Sequence, residues 1–497
     1  MRLSFLLLLL LIAPLRAADD ARITRVENGL LPGARIAGAP VETWNLADRM
    51  AHYHVPGVSI AVIDHDAIAW ARGYGLTRAG GTVAVTPDTL FQAASISKPV
   101  TAAAALSLVE AGRLTLDTDV NRLLKSWQLP ASDTAEGEPV TLRELLSHTA
   151  GLGVHGFDGY AAGAPRPALL QILNGTPPAN SPPIRIDLKP GTLWRYSGGG
   201  YCIVQQLLID TAGQDFPTLL HDRVLTPAGM TASTFAQPLP APLAAKAAAG
   251  HDDTGQPIPG EAHIYPELAA AGLWTTPTDL ARFALAFQHS LAGQPGLFSR
   301  STAEKMLTVP LPGSDYGLGL GVKDTGGDLQ ISHSGANEGF RALLIAYPRS
   351  GRGAIVMTNG DNGGLLAIEL MRAIAKEYGW PDFKPVEKIA APLAPAAFGN
   401  LAGRYERDDH VLVFYRKENH FYLRETGRPR VELFPKSDTE FFLLDDPTLF
   451  IFKRGANGLV SHVIRRGSGA PQVYPRVYEE APQPEPEPRL PKGLKNL

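Results

Sequence analysis

The chain reads as an α/β protein of the α+β kind: one antiparallel sheet flanked by helices and interrupted by a helical insertion, with a small all-β unit after it. Three observations predict this. Strand signals open the folded region and return only near residue 328. The residues between alternate helical stretches with Gly- and Pro-rich connections, and a Pro/Ala-rich stretch then precedes a series of short aromatic and β-branched runs. An N-terminal hairpin and C-terminal strands around a helical middle is the pattern of a single sheet split by an insertion.

At the N-terminus, Arg2 precedes an apolar run from Leu3 to Leu15, after which Ala17, Ala18 and Asp19 change the composition abruptly. This predicts a secretory signal peptide over residues 1–18. The run is shorter than the ~20 residues needed to span a bilayer, so no stable membrane insertion is expected. Cleavage is placed near Ala17 or Ala18, although Arg16 sits where a small residue is preferred. Cys202 is the only cysteine, which leaves no disulfide framework. A secreted protein, or one held in a bacterial periplasm, is the expected localisation.

Next come Val58 to Ile63 and Ala67 to Ala71, separated by Asp64-His65-Asp66, which together read as a hairpin. The Ala- and Leu-rich stretch from Val100 to Ala111 predicts a helix, with Pro99 in its first turn and Gly112 as its stop. Strands are expected again at Asp328 to His333, Ala342 to Tyr347 and Ala354 to Thr358, and a last helix from Gly364 to Glu377. A first folded domain over 19–384, a linker over 385–398, a small barrel-like β domain over 399–478 and a disordered tail over 479–497 complete the expected organisation. Within the β domain, runs at Val411 to Tyr415, His420 to Arg424, Glu440 to Leu444 and Leu449 to Phe452 have hairpin spacing.

With 497 residues, 44% hydrophobic, the chain can bury a large core and is long for one compact domain. Its net charge of −3 and scattered basic residues offer no stripe for a phosphate backbone, so nucleic acid is an unfavoured partner. Neither a G-x-S-x-G nucleophile elbow nor a Gly-rich phosphate loop occurs. His52 and His54 form a short-spaced pair with no third ligand near in sequence, which reads as surface and not as a metal site.

Three constellations could carry chemistry. Ser95-Ile96-Ser97-Lys98 puts a hydroxyl and an amine three residues apart, on one face of a helix start and within reach of each other. A serine needs a base to become a nucleophile, and a lysine serves when burial disfavours its charged form. Roughly one such spacing is expected by chance among the lysines of a chain this long, so the spacing alone decides nothing. Unpaired N–H groups at a helix start could help hold an oxyanion there. The second element, Arg195-Tyr196-Ser197-Gly198-Gly199-Gly200-Tyr201, sets a phenol on a Gly-rich turn before a helical run. Tyr196 could relay a proton to a leaving group, or be a buried tyrosine that satisfies a carbonyl. The third, His333-Ser334-Gly335-Ala336-Asn337-Glu338-Gly339-Phe340, lies at the end of a predicted strand and could wall an extended substrate, with the Ala336 N–H as a second oxyanion donor. A lone His after a strand is otherwise structural.

In this order the three elements resemble the serine β-lactamase and penicillin-binding protein superfamily, whose marks are S-x-x-K, Y-x-N or S-x-N, and K-T-G or H-x-G. The chain looks most like the branch of class C β-lactamases, D-aminopeptidases, D-alanyl-D-alanine carboxypeptidases and family VIII-like esterases. Flanking text agrees: Phe91-Gln92-Ala93-Ala94, Leu145 to Leu152, Gly272 to Thr276, and Gly339-Phe340. The resemblance covers about residues 40–380. It implies Ser95 as acylated nucleophile, Lys98 and Tyr196 as the proton-handling pair, and His333, Ser334, Gly335 and Ala336 as the substrate and oxyanion wall. It implies no metal or organic cofactor, and a small ester, amide or D-amino-acid peptide as substrate.

Two departures stand out. Gly198 occupies the position of the usual Asn, and His333 that of the usual Lys. Both weaken recognition of a carboxylated β-lactam or D-Ala-D-Ala peptide, which turns the expectation toward an esterase or an unusual peptidase. The alternative is a non-catalytic binding or sensor protein that retains the fold. The sequence leaves the oligomeric state open.

Overall fold

The computed structural model describes residues 20–408, 410–425, 430–444, 447–467 and 469–477. The leader read at 1–18 and the tail read at 479–497 lie outside the described residues. The chain divides into two compact units, one built from residues up to Leu31 together with Thr43–Lys384, the other from Pro32–Glu42 together with the residues from Pro385 on. Among the described residues no helix is long and apolar enough to cross a membrane.

In the first unit, β1 (Gly57–Asp64) and β2 (Ala67–Gly75) form the expected hairpin, and His65 and Asp66 take the positive φ values of 52° and 56° that a two-residue turn demands. Four later strands, β3 (Gly321–Asp324), β4 (Leu329–Asn337), β5 (Phe340–Tyr347) and β6 (Arg352–Thr358), complete a six-stranded antiparallel sheet in the order β2-β1-β6-β5-β4-β3. The central strands are apolar at successive positions because both faces are covered. Along β1, Val58, Ile60 and Val62 enter one core while Ala61 and Ile63 enter the other. Residues of β6 divide likewise, Val356 to the first core and Ile355 and Met357 to the second.

Four longer helices enclose the sheet: α1 (Ser97–Glu110), α2 (Gly198–Ala212), α3 (Pro277–Leu291) and α4 (Gly363–Tyr378). Helix α1 has buried residues on every side, which its run of alanines permits through small volume and strong helix propensity. Pro99 sits in its first turn and Gly112, at φ 67°, follows its end. Helix α4 packs Leu366, Leu370 and Ile374 in the core that takes Val58 and Val356, whereas α2 and α3 pack on the opposite side. The chain between Gly112 and Gly321 is mostly helix and loop, and its two-residue strand Trp274–Thr275 pairs with Phe91–Gln92 ahead of α1.

The second unit is a closed eight-stranded antiparallel barrel. Its strands are Gly403–Arg407, His410–Lys417, His420–Glu425, Val431–Pro435, Glu440–Leu443, Leu449–Arg454, Val460–Arg466 and Gln472–Val477. The last closes on the first through Arg404 opposite Val477, so among the described residues the barrel itself presents no edge strand. Alternate residues, such as Leu412 and Phe414 or Phe450 and Phe452, fill the interior. Phe398 of the short helix Phe398–Leu401 stacks on Phe421 at 5.1 Å between ring centroids. Within the Pro/Ala-rich stretch, Val386–Lys388 forms a strand parallel to Ala34–Ile36, a pairing that joins an N-terminal segment to this unit. Truncating Phe414 to alanine should leave a cavity among Tyr405, Phe450 and Phe452 and cost about 3–5 kcal/mol of barrel stability. Urea unfolding followed by near-UV circular dichroism measures it.

Candidate active site

Ser95 stands on a single 3-10 turn, Ala94–Ile96, that runs directly into α1. The sequence reading placed it at the helix start, and the structure sets it one turn ahead. Two contacts hold the turn: the Ser97 hydroxyl donates to the Ala94 carbonyl at 2.6 Å and accepts from the Leu273 N–H at 3.0 Å. Ala94 is fully buried at φ +49°, a left-handed conformation that an L-residue keeps only when its surroundings enforce it.

Lys98 lies one turn further and is 2% exposed. Its Nζ donates to Ser95 Oγ at 3.0 Å and to the Ala270 carbonyl at 2.8 Å. It also lies 4.8 Å from the ring centre of Tyr196 and 5.6 Å from that of Tyr201. Among the described residues no carboxylate pairs with it. The amine is thus held by one carbonyl, one hydroxyl and two aromatic faces.

Tyr196 is placed by the start of α2. Ser197 caps that helix by accepting from the Gly200 N–H at 3.0 Å and donates its own hydroxyl to the Gly153 carbonyl at 2.7 Å. Gly198 and Gly199 then pack tightly on the preceding loop, their N–H groups donating to the carbonyls of His155 and Val154. A Cβ at Gly198 would lie 3.0 Å from the Phe157 ring and 3.1 Å from the His155 carbonyl. Phe157 therefore crowds the space that an asparagine side chain would need.

The far wall is β4. Strand β3 pairs with it only from Leu329 to Ser332, so the edge from His333 to Asn337 has a strand neighbour on one side alone. His333 was expected at the strand's end and is in its middle, because β4 continues to Asn337. Gly335 packs against the Ser95 turn, where a Cβ would fall 2.1 Å from the Ala93 carbonyl oxygen. Ser334 and Ala336 are exposed and, with Ser95, Lys98, Tyr196 and His333, line a cleft of about 870 Å³. The structure thus brings together every predicted site residue, Gly335 as support and the others as lining.

The imidazole of His333 is 7% exposed, with Nδ1 2.6 Å from the Ser334 carbonyl and Nε2 3.0 Å from the Tyr316 hydroxyl. Nδ1 therefore carries the proton and Nε2 accepts from Tyr316. Burial, reinforced by the charge of Lys98, lowers the His333 pKa to about 3. The ring is neutral under all ordinary conditions. A charged lysine in this position would attract a substrate carboxylate, and neutral His333 does not.

Several residues of the site escaped the sequence reading. His148, in the left-handed conformation at φ 61°, accepts the Ser197 N–H on Nδ1 at 3.1 Å and packs 4.3 Å from Tyr196 between ring centroids. Its burial and the neighbouring Lys98 also hold it well below the usual histidine range. Tyr316 and Trp194 complete an aromatic cluster around it. Asn337 donates to Gln92 and to the Ala271 carbonyl, tying the strand end to both sides of the Ser95 turn. His148 falls within the Leu145 to Leu152 flank, and Asn337 and Gln92 fall within the quoted motifs, but the sequence reading assigns none of the three a role. Glu267, just before the short helix that carries Ala270, is fully buried, and burial pushes its carboxyl up to about 7.

Gly335→Ala should cost about 1–3 kcal/mol through overpacking against Ala93, read by urea unfolding. His333 and Glu267 give opposite pH dependences. His333 binds no proton in the fold below its ordinary 6.5, so its contribution to stability is lost as pH falls from about 6.5 toward 3. Glu267 prefers its proton in the fold, so its contribution is lost as pH rises from 4.5 through about 7. Between pH 4.5 and 6.5, stability should therefore climb less steeply with pH in His333→Gln than in the parent, and more steeply in Glu267→Gln. Urea titrations at several pH values check both slopes.

Comparison with known proteins identifies the family of the chain. The chain is similar to penicillin-binding protein 4 of Amycolatopsis lactamdurans, 29% identical across 72% of this chain and 94% of that protein. It is also similar to penicillin-binding protein 4* of Bacillus subtilis, 24% identical across 72% and 81%. Among solved structures, an octameric penicillin-binding protein homologue from Pyrococcus abyssi superposes with a TM-score of 0.60 at 23% identity, covering 86% of this chain and 98% of that one. A D-amino acid amidase from Ochrobactrum anthropi superposes with a TM-score of 0.53 at 21% identity, covering 67% and 96%. The beta-lactamase family model matches residues 45–377, and the chain therefore belongs to the serine β-lactamase and penicillin-binding protein superfamily.

Proposed function

We propose that this protein is a serine hydrolase that forms a covalent acyl-enzyme at Ser95 and cleaves an ester or amide. The observation that carries the reading is the 3.0 Å contact between Lys98 Nζ and Ser95 Oγ in a cleft that also holds Tyr196. Ser95 Oγ attacks the carbonyl carbon and passes its proton to the Lys98 and Tyr196 pair, which returns it to the leaving alcohol or amine. The backbone N–H groups of Ser95 and Ala336 hold the oxyanion. Water then attacks the acyl-enzyme and gives up a proton through the same pair to Ser95 Oγ as the C–O bond to the serine breaks and the acid departs. Which member of the pair is the base is not assigned, because they act as one coupled unit.

Two features support an esterase or a D-amino-acid-type peptidase over an efficient β-lactamase. Neutral His333 spends Nε2 on Tyr316 and offers no cation. Phe157 stands where the side chain of an asparagine at 198 would reach. Arg195, the other cation lining the cleft, is itself paired with Asp187 at 2.8 Å. If residues 1–18 are a leader, this chemistry takes place in a periplasm or outside the cell. The missing side chain at Gly198 is also what a non-catalytic binding protein would show.

A panel of aryl esters, a chromogenic cephalosporin and D-amino-acid amides separates these readings, since a binding protein turns over none. A fluorophosphonate should label the parent and leave Ser95→Ala unlabelled, and Lys98→Ala should lose about 10²–10⁴-fold in turnover. Labelling and turnover that persist in Ser95→Ala would refute the proposal.

A further inference from the structure

Separated from Tyr196 only by Arg195, the chain exposes two large apolar side chains in succession, Leu193 at 55% and Trp194 at 43%. They form one side of a groove of about 620 Å³ whose other side is Leu311, Pro312 and Tyr316. Adjacent exposed apolar residues facing an apolar wall are uncommon on a protein surface and mark a binding surface. The groove adjoins the reaction cleft. Trp194 lines both cavities. Its ring lies 5.9 Å from Tyr316 and 6.4 Å from Tyr196 between centroids, and the Tyr316 hydroxyl bonds His333. The charged residue lining the groove is Asp315, an exposed acid.

We propose that this groove is a substrate subsite that takes an uncharged alkyl or aryl arm of the ester or amide whose carbonyl is at Ser95. The proposal rests on the acyl-transfer reading of Ser95 and names the substrate class for it. Each part of the geometry acts in the same direction. Between Ser95 and the groove stand the rings of Tyr196, Trp194 and Tyr316, all aromatic, beside an imidazole that carries no charge. Asp315 at the groove repels a carboxylate, and an alkyl or aryl group gains by leaving water against Leu193, Trp194 and Pro312.

The test uses the full chain, Trp194→Ala and Leu193→Ser, each with its far-UV circular dichroism verified. All three are assayed on p-nitrophenyl acetate, butyrate and hexanoate, on methyl, butyl and hexyl acetates, and on p-nitrophenyl succinate, which carries a carboxylate. In the parent, kcat/KM should rise about threefold per added methylene along one of the two series. Both substitutions should bring the ratio of longest to shortest substrate at least tenfold nearer to one, chiefly through KM. The hexanoate should be preferred to the succinate. Ser95-dependent turnover with flat profiles in both series, a length dependence unaltered in both variants, or preference for the succinate would overturn the subsite and leave the Ser95 reading standing. Turnover that survives Ser95→Ala would overturn both.

Discussion

A lysine amine buried in an apolar core must find partners, and the first unit is organised around those of Lys98. It is almost wholly shielded from solvent, and no carboxylate among the described residues answers it. The Ala270 carbonyl, the Ser95 hydroxyl and the faces of Tyr196 and Tyr201 do so instead. Each comes from a different stretch of chain, so the amine is satisfied only when α1, the short helix Leu268–Ala271 and the start of α2 are all in place. An unpaired buried amine is costly enough for this to act as a constraint on the whole arrangement. The alanines of α1 have a role in it, because larger side chains would hold the neighbouring segments away from Lys98.

Burial also sets the charge of three other titratable groups in the first unit. His148 and His333 are driven neutral by burial, with the Lys98 charge adding to the effect, whereas burial drives Glu267 toward its protonated form. A site with two neutral histidines and an aromatic cluster selects by shape and apolar contact more than by ion pairing. That gives one physical origin to both departures from the family pattern. Gly198 is compatible with Phe157 closing on it, and His333 is compatible with a wall that needs no cation.

Much of this was legible along the chain, and what was missed was missed for definite reasons. Hairpin β1-β2 carried a turn signal between two apolar runs. The eight-stranded barrel showed only some of its strands in advance. Gly403–Arg407 buries Tyr405 between charged neighbours and Val460–Arg466 buries only Val460 and Val463, so neither is an apolar run. The pairing of Ala34–Ile36 with Val386–Lys388 joins segments more than three hundred residues apart, with no local pattern to announce it. The Ser95 and Lys98 pair was visible because its spacing lies within a single turn, and Tyr196 because it precedes a Gly-rich run at a helix start. Tyr316, Asn337 and Trp194 are ordinary in sequence and gain meaning from what they touch.

By itself, therefore, the sequence determined what is local: a hydroxyl and an amine three residues apart, a glycine where an amide side chain is usual, a histidine where a lysine is usual, and the alternation that divides β1 and β6 between two cores. The tertiary structure decided what depends on surroundings. It made His333 neutral, because desolvation depends on everything packed around the ring. It supplied the carbonyl that holds Lys98, because Ala270 is distant in sequence. It also joined the cleft to the groove at Trp194, because Leu193 and Pro312 become neighbours only when the chain between them has folded.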